Sequence, residues 1–171
     1  MTSDAPPPRS AGGTRKRSVA RLAAVQALYQ IDLSGTTPAA VIAEFRKHRL
    51  GREIDGEQYG QADTALFSDI VEGTVARQAD LDRAISGALT PDWPLERLET
   101  VLRAILRAGA YELLARGDVP ARVAISEYLD IAHAFFAGKE PGLVNGVLDR
   151  LAHELRPGDL GEAKNGGAET Q

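Results

Sequence analysis

The chain has 171 residues, 43% hydrophobic and 26% charged, with 20 Lys+Arg against 24 Asp+Glu for a net charge of -4. That length and balance suit one globular domain with a proper core, and the overall charge says nothing in favour of nucleic-acid binding. The absence of cysteine excludes disulfides, thiolate metal sites and cysteine nucleophiles, and fits a cytosolic protein.

The N-terminal stretch MTSDAPPPRSAGGTRKR has no apolar run of the signal-peptide kind. No run approaches the roughly 20 apolar residues of a membrane span. Residues 1–14 and 157–171 are rich in Pro, Gly and polar residues and are expected to be disordered tails. The folded domain is expected over 15–156.

Within that domain every periodic segment is helical. Leu22, Val25, Leu28 and Tyr29 form one apolar stripe, with Ile31 and Leu33 extending the segment. Thr37-Pro38 reads as an N-cap followed by proline at the first helical position, ahead of Val41, Ile42 and Phe45. A polar loop, GREIDGEQYGQAD, follows. A long helical pattern then runs from Leu66 to Leu89, with a break near Gln78–Asp80. TPDWP stops and restarts the chain. A central helix is expected from Leu95 through Leu113, closed by Arg116-Gly117-Asp118. Pro120 precedes a helix with Ile125, Tyr128, Leu129, Ala132 and Phe136. GKEPG breaks it before a last helix with Leu143, Val144, Val147, Leu148, Leu151 and Leu155. No alternating β-branched run of strand length occurs. The expected fold is an all-α bundle of about six or seven helices.

Motifs for catalysis are missing. His48, His133 and His153 are isolated, without metal-ligand spacing, and read as surface histidines. No phosphate-binding glycine loop or nucleophile elbow is present. The acidic pairs Glu96/Glu99 and Glu127/Asp130 have the i, i+3 spacing that solvated helix faces produce constantly. Trp93, between prolines, reads as a loop anchor. No enzyme activity, cofactor or metal is expected.

The start of the first helix is unusual. From Arg9 through Arg21 there are five cations (Arg9, Arg15, Lys16, Arg17, Arg21) and no anion. Cations are unfavourable at a helix N-terminus, where carboxylates are the natural choice. Placing Arg15, Lys16 and Arg17 in the first turn, with Arg21 one turn on and sharing a face with Arg17, would build an anion site from the dipole end and guanidinium forks. The alternative is a solubilising basic tail. A second feature is LVNGVLDRL, residues 143–151, which places Gly146 inside a helix at a cost of up to about 1 kcal/mol. Close packing, with Gly109 as counterpart, would explain it. So would approach of a ligand near this helix's start, where Lys139 adds a cation.

Together, RKRSVARLAAVQALYQ, LRAILRAGAYELLARGDVPARVAISEYLDIAHAFF and LVNGVLDRL resemble the NusB family of bacterial transcription antitermination factors in order and spacing, across residues 15–156. The resemblance implies two packed helical subdomains and no enzyme activity. It implies binding, together with NusE, to boxA-type single-stranded RNA, and read-through by RNA polymerase, notably in ribosomal RNA operons. The family's RNA-contacting first helix corresponds to Arg15, Lys16, Arg17 and Arg21. Here Ser18 and Val19 stand where relatives can have further arginines. The second RNA-contacting region corresponds to Leu143, flanked by Lys139 and Asn145. Relatives can carry an aromatic residue at Leu143, and leucine cannot stack on a base as an aromatic ring does. For NusE the resemblance points to Tyr29, Glu96 and Leu102. Some relatives self-associate through the RNA surface, which would make a homodimer an autoinhibited store. NusB-like domains also occur in RNA cytosine-5 methyltransferases, which need a catalytic cysteine that this sequence lacks. The remaining alternative is an interaction or oligomerisation module without specific RNA binding.

Overall fold

The structure, a computed structural model, describes residues 10–48 and 63–159. Nearly all of the expected polar loop and most of both expected tails lie outside those residues. Among the described residues there is no strand. The helices are α1 (Ser10–Ser34), α2 (Pro38–His48), α3 (Thr64–Ala76), α4 (Gln78–Ala88), α5 (Thr100–Ala115), α6 (Ala121–Phe135) and α7 (Glu140–Leu155), with a 3-10 turn at Leu95–Arg97. Residues 157–159 are again helical. No helix among the described residues is long and apolar enough to cross a membrane.

Local chemistry accounts for the boundaries. Gly35 ends α1 in the left-handed region, φ 69°, while its N–H bonds back to Ile31 O at 2.9 Å. Thr37 caps α2 as its sequence suggests, its hydroxyl accepting from Ala40 N at 3.3 Å ahead of Pro38. The Asp63 carboxylate caps α3 by accepting from Leu66 N at 2.9 Å. The expected break in the long pattern falls at Arg77, whose φ of -109° and ψ of 15° turn α3 into α4.

α1, α2 and α3 pack on one another, and α4, α6 and α7 gather around α5. These are the two helical groups. They share α5, which touches α1 and α3 on one side and α4, α6 and α7 on the other. Phe45 and Phe67 stack at 5.4 Å between centroids and tie α2 to α3. Gly109 lets α5 and α7 approach, since a Cβ there would stand 2.8 Å from a Leu148 methyl.

Two sequence expectations need correction. The central helix does not run from Leu95. A 3-10 turn ends at Leu98, which is extended (φ -69°, ψ 147°), and α5 starts at Thr100. Leu95 and Leu98 still reach the core from this backbone, so their spacing imitates a helix. Arg103 satisfies the carbonyls the break frees, donating to Glu96 O at 3.2 Å and Leu98 O at 3.1 Å. The buried face of α1 also keeps only Val25 and Leu28 of the expected stripe. Leu22 and Tyr29 are exposed, whereas Ala20, Arg21, Ala23, Ala24, Val25, Ala27 and Leu28 are buried. Four alanines make that face thin, so α3 and α5 can lie close against it.

Arg156, just past α7, holds the far end of α5. Its guanidinium donates to Leu113 O at 2.8 Å and Glu112 O at 2.7 Å, and also to the carbonyls of Arg116 and Val119. Glu112 O and Arg116 O also accept the backbone N–H groups of Arg116 and Val119, so Arg156 reinforces the turn that closes α5 as well as meeting Leu113 O in its last turn. Asp159 pairs with Arg156 at 3.2 Å and accepts from Ala121 N, at the start of α6, at 3.3 Å.

Candidate nucleic-acid interface

Arg15, Lys16 and Arg17 are exposed on α1. Because α1 begins at Ser10, these cations lie more than a turn inside the helix. The expected dipole contribution is therefore not theirs, as it falls off within the first turn, and the anion attraction of this surface rests on side-chain charge. Two neighbours hold the segment. On one side Asp63 N donates to Lys16 O at 3.2 Å, and the Asp63 carboxylate stands 4.0 Å from Arg17 Nε. On the other side Ser18 Oγ lies 2.8 and 2.9 Å from the two carboxylate oxygens of Glu127 on α6.

Arg21 does not join the exposed cations. Its side chain is 1% exposed and sits between α1, α5 and α6. Nε and Nη2 donate to the two Glu112 oxygens at 2.8 and 3.0 Å, and Nη1 lies 3.4 Å from Glu127. Tyr128 Oη donates to the same Glu112 carboxylate. Burial pulls the Arg21 pKa down, but the bonds and charge of Glu112 outweigh it and the net shift is upward. Burial, reinforced by the Glu112 charge and hydrogen bond, pushes the Tyr128 hydroxyl well above its ordinary range. Arg21 is thus a core cation held by two carboxylates, and its expected phosphate contact is withdrawn. Glu127, expected on a solvated face with Asp130, is likewise mostly buried, at 14% side-chain exposure.

The second expected RNA region lies on α7, which is joined to α1 through α6. Lys139 is exposed at the N-cap of α7. Leu143 is half-buried against the core. Asn145 is exposed and lines an α6–α7 groove of about 430 Å³ with Arg122, Ser126 and His153. A Cβ on Gly146 would meet nothing within 4 Å, so packing against Gly109 does not explain that glycine.

The residues expected to face a protein partner separate. Tyr29, 40% exposed, lines an apolar groove of about 660 Å³ with Leu33, Val101 and Phe135. Glu96 lies in a neighbouring charged depression with Asp32, Asp82, Arg83, Arg103 and Arg107. Leu102 is 1% exposed and belongs to the core, which withdraws it as a contact. The adjacent Val101 reaches the groove instead, about 100° around the helix. Leu33 and Phe135 escaped the sequence reading. Phe135 ends α6, and Phe136 stands just past it on extended backbone (φ -132°, ψ 138°), which sends the two rings to different surroundings and leaves no helical spacing to separate core from surface. Phe136 packs against the core and Phe135 is 45% exposed.

Comparison with known proteins places this geometry. Residues 18–153 match the NusB family. The transcription antitermination protein NusB of Brucella ovis is 58% identical over 151 residues, covering 88% of each chain. The fold is similar to that of T. maritima NusB, with a TM-score of 0.65 and 29% identity over 81% of this chain and 91% of that one. It is also similar to a chain from a structure of antitermination factors NusB and NusE in complex with dsRNA, with a TM-score of 0.67 and 26% identity over 82% of this chain and 98% of that one. A match spanning α1 to α7, with this all-helical architecture, leaves one assignment: the chain belongs to the NusB family.

Proposed function

We propose that this protein is a non-enzymatic transcription antitermination factor that binds boxA-type single-stranded RNA together with NusE and supports read-through by RNA polymerase, notably in ribosomal RNA operons. The observation that carries the reading is the likeness, over nearly the whole of the matched chain, to a chain from the structure of antitermination factors NusB and NusE in complex with dsRNA. It works in the cytoplasm, on nascent RNA.

The exposed Arg15, Lys16 and Arg17 supply phosphate contacts, with Lys139 and Asn145 extending the surface. Phosphate contacts give affinity and little sequence choice. Single-stranded RNA is selected through base edges and stacking, for which half-buried Leu143 is poorly suited. NusE supplies the remainder. It docks over the apolar groove of Tyr29, Leu33, Val101 and Phe135, with the charged depression around Glu96 at its margin. Two weak RNA surfaces joined in one heterodimer bind as a linked pair, raising apparent affinity without new contacts on either. A homodimer covering the RNA surface would store the protein in an inactive form.

The test is fluorescence anisotropy of labelled boxA RNA over a salt series, with and without NusE, beside a scrambled RNA and an Arg15→Ala/Lys16→Ala/Arg17→Ala variant. Selective binding, tightened by NusE, is expected. The variant should bind more weakly, its salt slope shallower by about 0.7 for each phosphate it no longer neutralises. Equal binding of boxA and scrambled RNA, unchanged in the variant, would instead favour an interaction module that works through the exposed apolar groove.

A further inference from the structure

We propose that Ser18 and Glu127 are positioning residues of the RNA surface: their bond fixes the cationic segment of α1 against α6 and so holds Arg15, Lys16 and Arg17 in one arrangement. The inference rests on the RNA-binding reading and concerns residues that contact no ligand themselves.

The geometry is local and specific. Along α1 the first buried described side chain is Ala20, so the cations sit just outside the part of the helix that the core secures. A helix end beyond its packing frays unless something ties it down. Val19 packs at the edge of the core. Beyond it the ties include the backbone bond from Asp63 N to Lys16 O, the long Arg17–Asp63 pair and the Ser18–Glu127 bond. The Asp63 ties come from the N-cap of α3, and the Ser18 tie comes from α6, so the segment is gripped from two directions.

The α6 side of this grip is rigid because Glu127 is itself fixed. Its carboxylate faces Ser18 at 2.8 and 2.9 Å and Arg21 Nη1 at 3.4 Å. Arg21 in turn is locked to Glu112 through two bonds, and Glu112 to Tyr128. A continuous chain of polar contacts therefore runs from the core of α5 to the surface turn that carries the cations. A hydroxyl at position 18 uses this chain without adding charge. Preorganised contacts spend less of their binding free energy on ordering side chains and backbone.

Ser18→Ala tests this, because it deletes the tie and leaves every charge in place. RNA affinity of the NusE complex and amide exchange of the free protein are read on the wild type, Ser18→Ala and Ser18→Thr. In Ser18→Ala the Kd for boxA RNA should rise about 3- to 10-fold, the scale of one ordinary hydrogen bond, since the tie acts on binding only through the arrangement it holds. Amides of residues 15–19 should exchange faster while those of α5 stay as protected as before. Ser18→Thr, which keeps the hydroxyl, should restore both. In the Arg15→Ala/Lys16→Ala/Arg17→Ala background, Ser18→Ala should weaken binding no further, since no cations remain to be positioned. Ser18→Ala binding as tightly as the wild type overturns the inference, as does an equal weakening in both backgrounds. A wild type that binds no RNA sinks the antitermination reading instead, and this role falls with it.

Discussion

Arg21 is the residue where charge and position part company. By charge it belongs with Arg15, Lys16 and Arg17, yet it is among the bulkiest fully buried side chains of the described residues. Its cost in desolvation is offset by two carboxylates that between them meet all three guanidinium nitrogens. Arg21→Met should therefore leave Glu112 charged, buried and short of its cation, destabilising the fold by about 3–5 kcal/mol in urea denaturation. Arg15→Ala, at an exposed position, should change stability by no more than about 0.5 kcal/mol. Equal effects of the two substitutions would contradict the buried bridge. The sequence could not separate these residues, because burial of an arginine depends on a glutamate far along the chain.

At the scale of helices, the 3.6-residue period made α2, α6 and α7 legible, and with them the all-α class. It failed where side-chain size or backbone geometry carried the information. Alanine contributes little to an apolar stripe, so the thin buried face of α1 was hidden behind Leu22 and Tyr29. Leu95 and Leu98 keep a helical spacing while standing on a 3-10 turn and an extended residue. The site was legible in the same uneven way. Surface cations are visible in any sequence, whereas the groove of Leu33, Val101 and Phe135 exists only once α1, α5 and α6 are packed. Two glycines test the helix contacts directly. Gly109→Ala would push a Cβ against Leu148, itself fully buried, and should cost about 1–3 kcal/mol. Gly146→Ala, on the open face of α7, should stabilise by up to about 1 kcal/mol through helix propensity. Thermal unfolding of the two variants should move in opposite directions.

For the molecule as a whole, stability is gathered on α5, and two tyrosines report on it. Burial, with help from the Asp69 hydrogen bond and charge, pushes the Tyr111 hydroxyl up to about 12 from 10.0. Tyr128 is shifted upward as well, through burial and Glu112. A group whose folded pKa is raised holds its proton more tightly in the native state, so its share of stability is complete below the unfolded value. That share is lost as pH rises from about 10, where the unfolded chain ionises first, toward the folded value. Denaturation midpoints should be insensitive to these groups at pH 8 and fall steeply between pH 10 and 12. The fall should be shallower in Tyr111→Phe, and an unchanged slope would show that the hydroxyl's setting contributes nothing.

The bridge from Arg21 to Glu112 also orders events in time. It spans 91 positions, and the Tyr128 that completes it is made later still. During synthesis, α1 emerges long before anything exists to neutralise its buried guanidinium, and docking it early would strand a bare charge in an apolar setting. A nascent fragment that stops short of α5 carries the exposed cations of α1 without their seat. The shaped cationic surface is thus withheld until most of the chain has been translated, so an incomplete protein presents the charge of α1 without its arrangement.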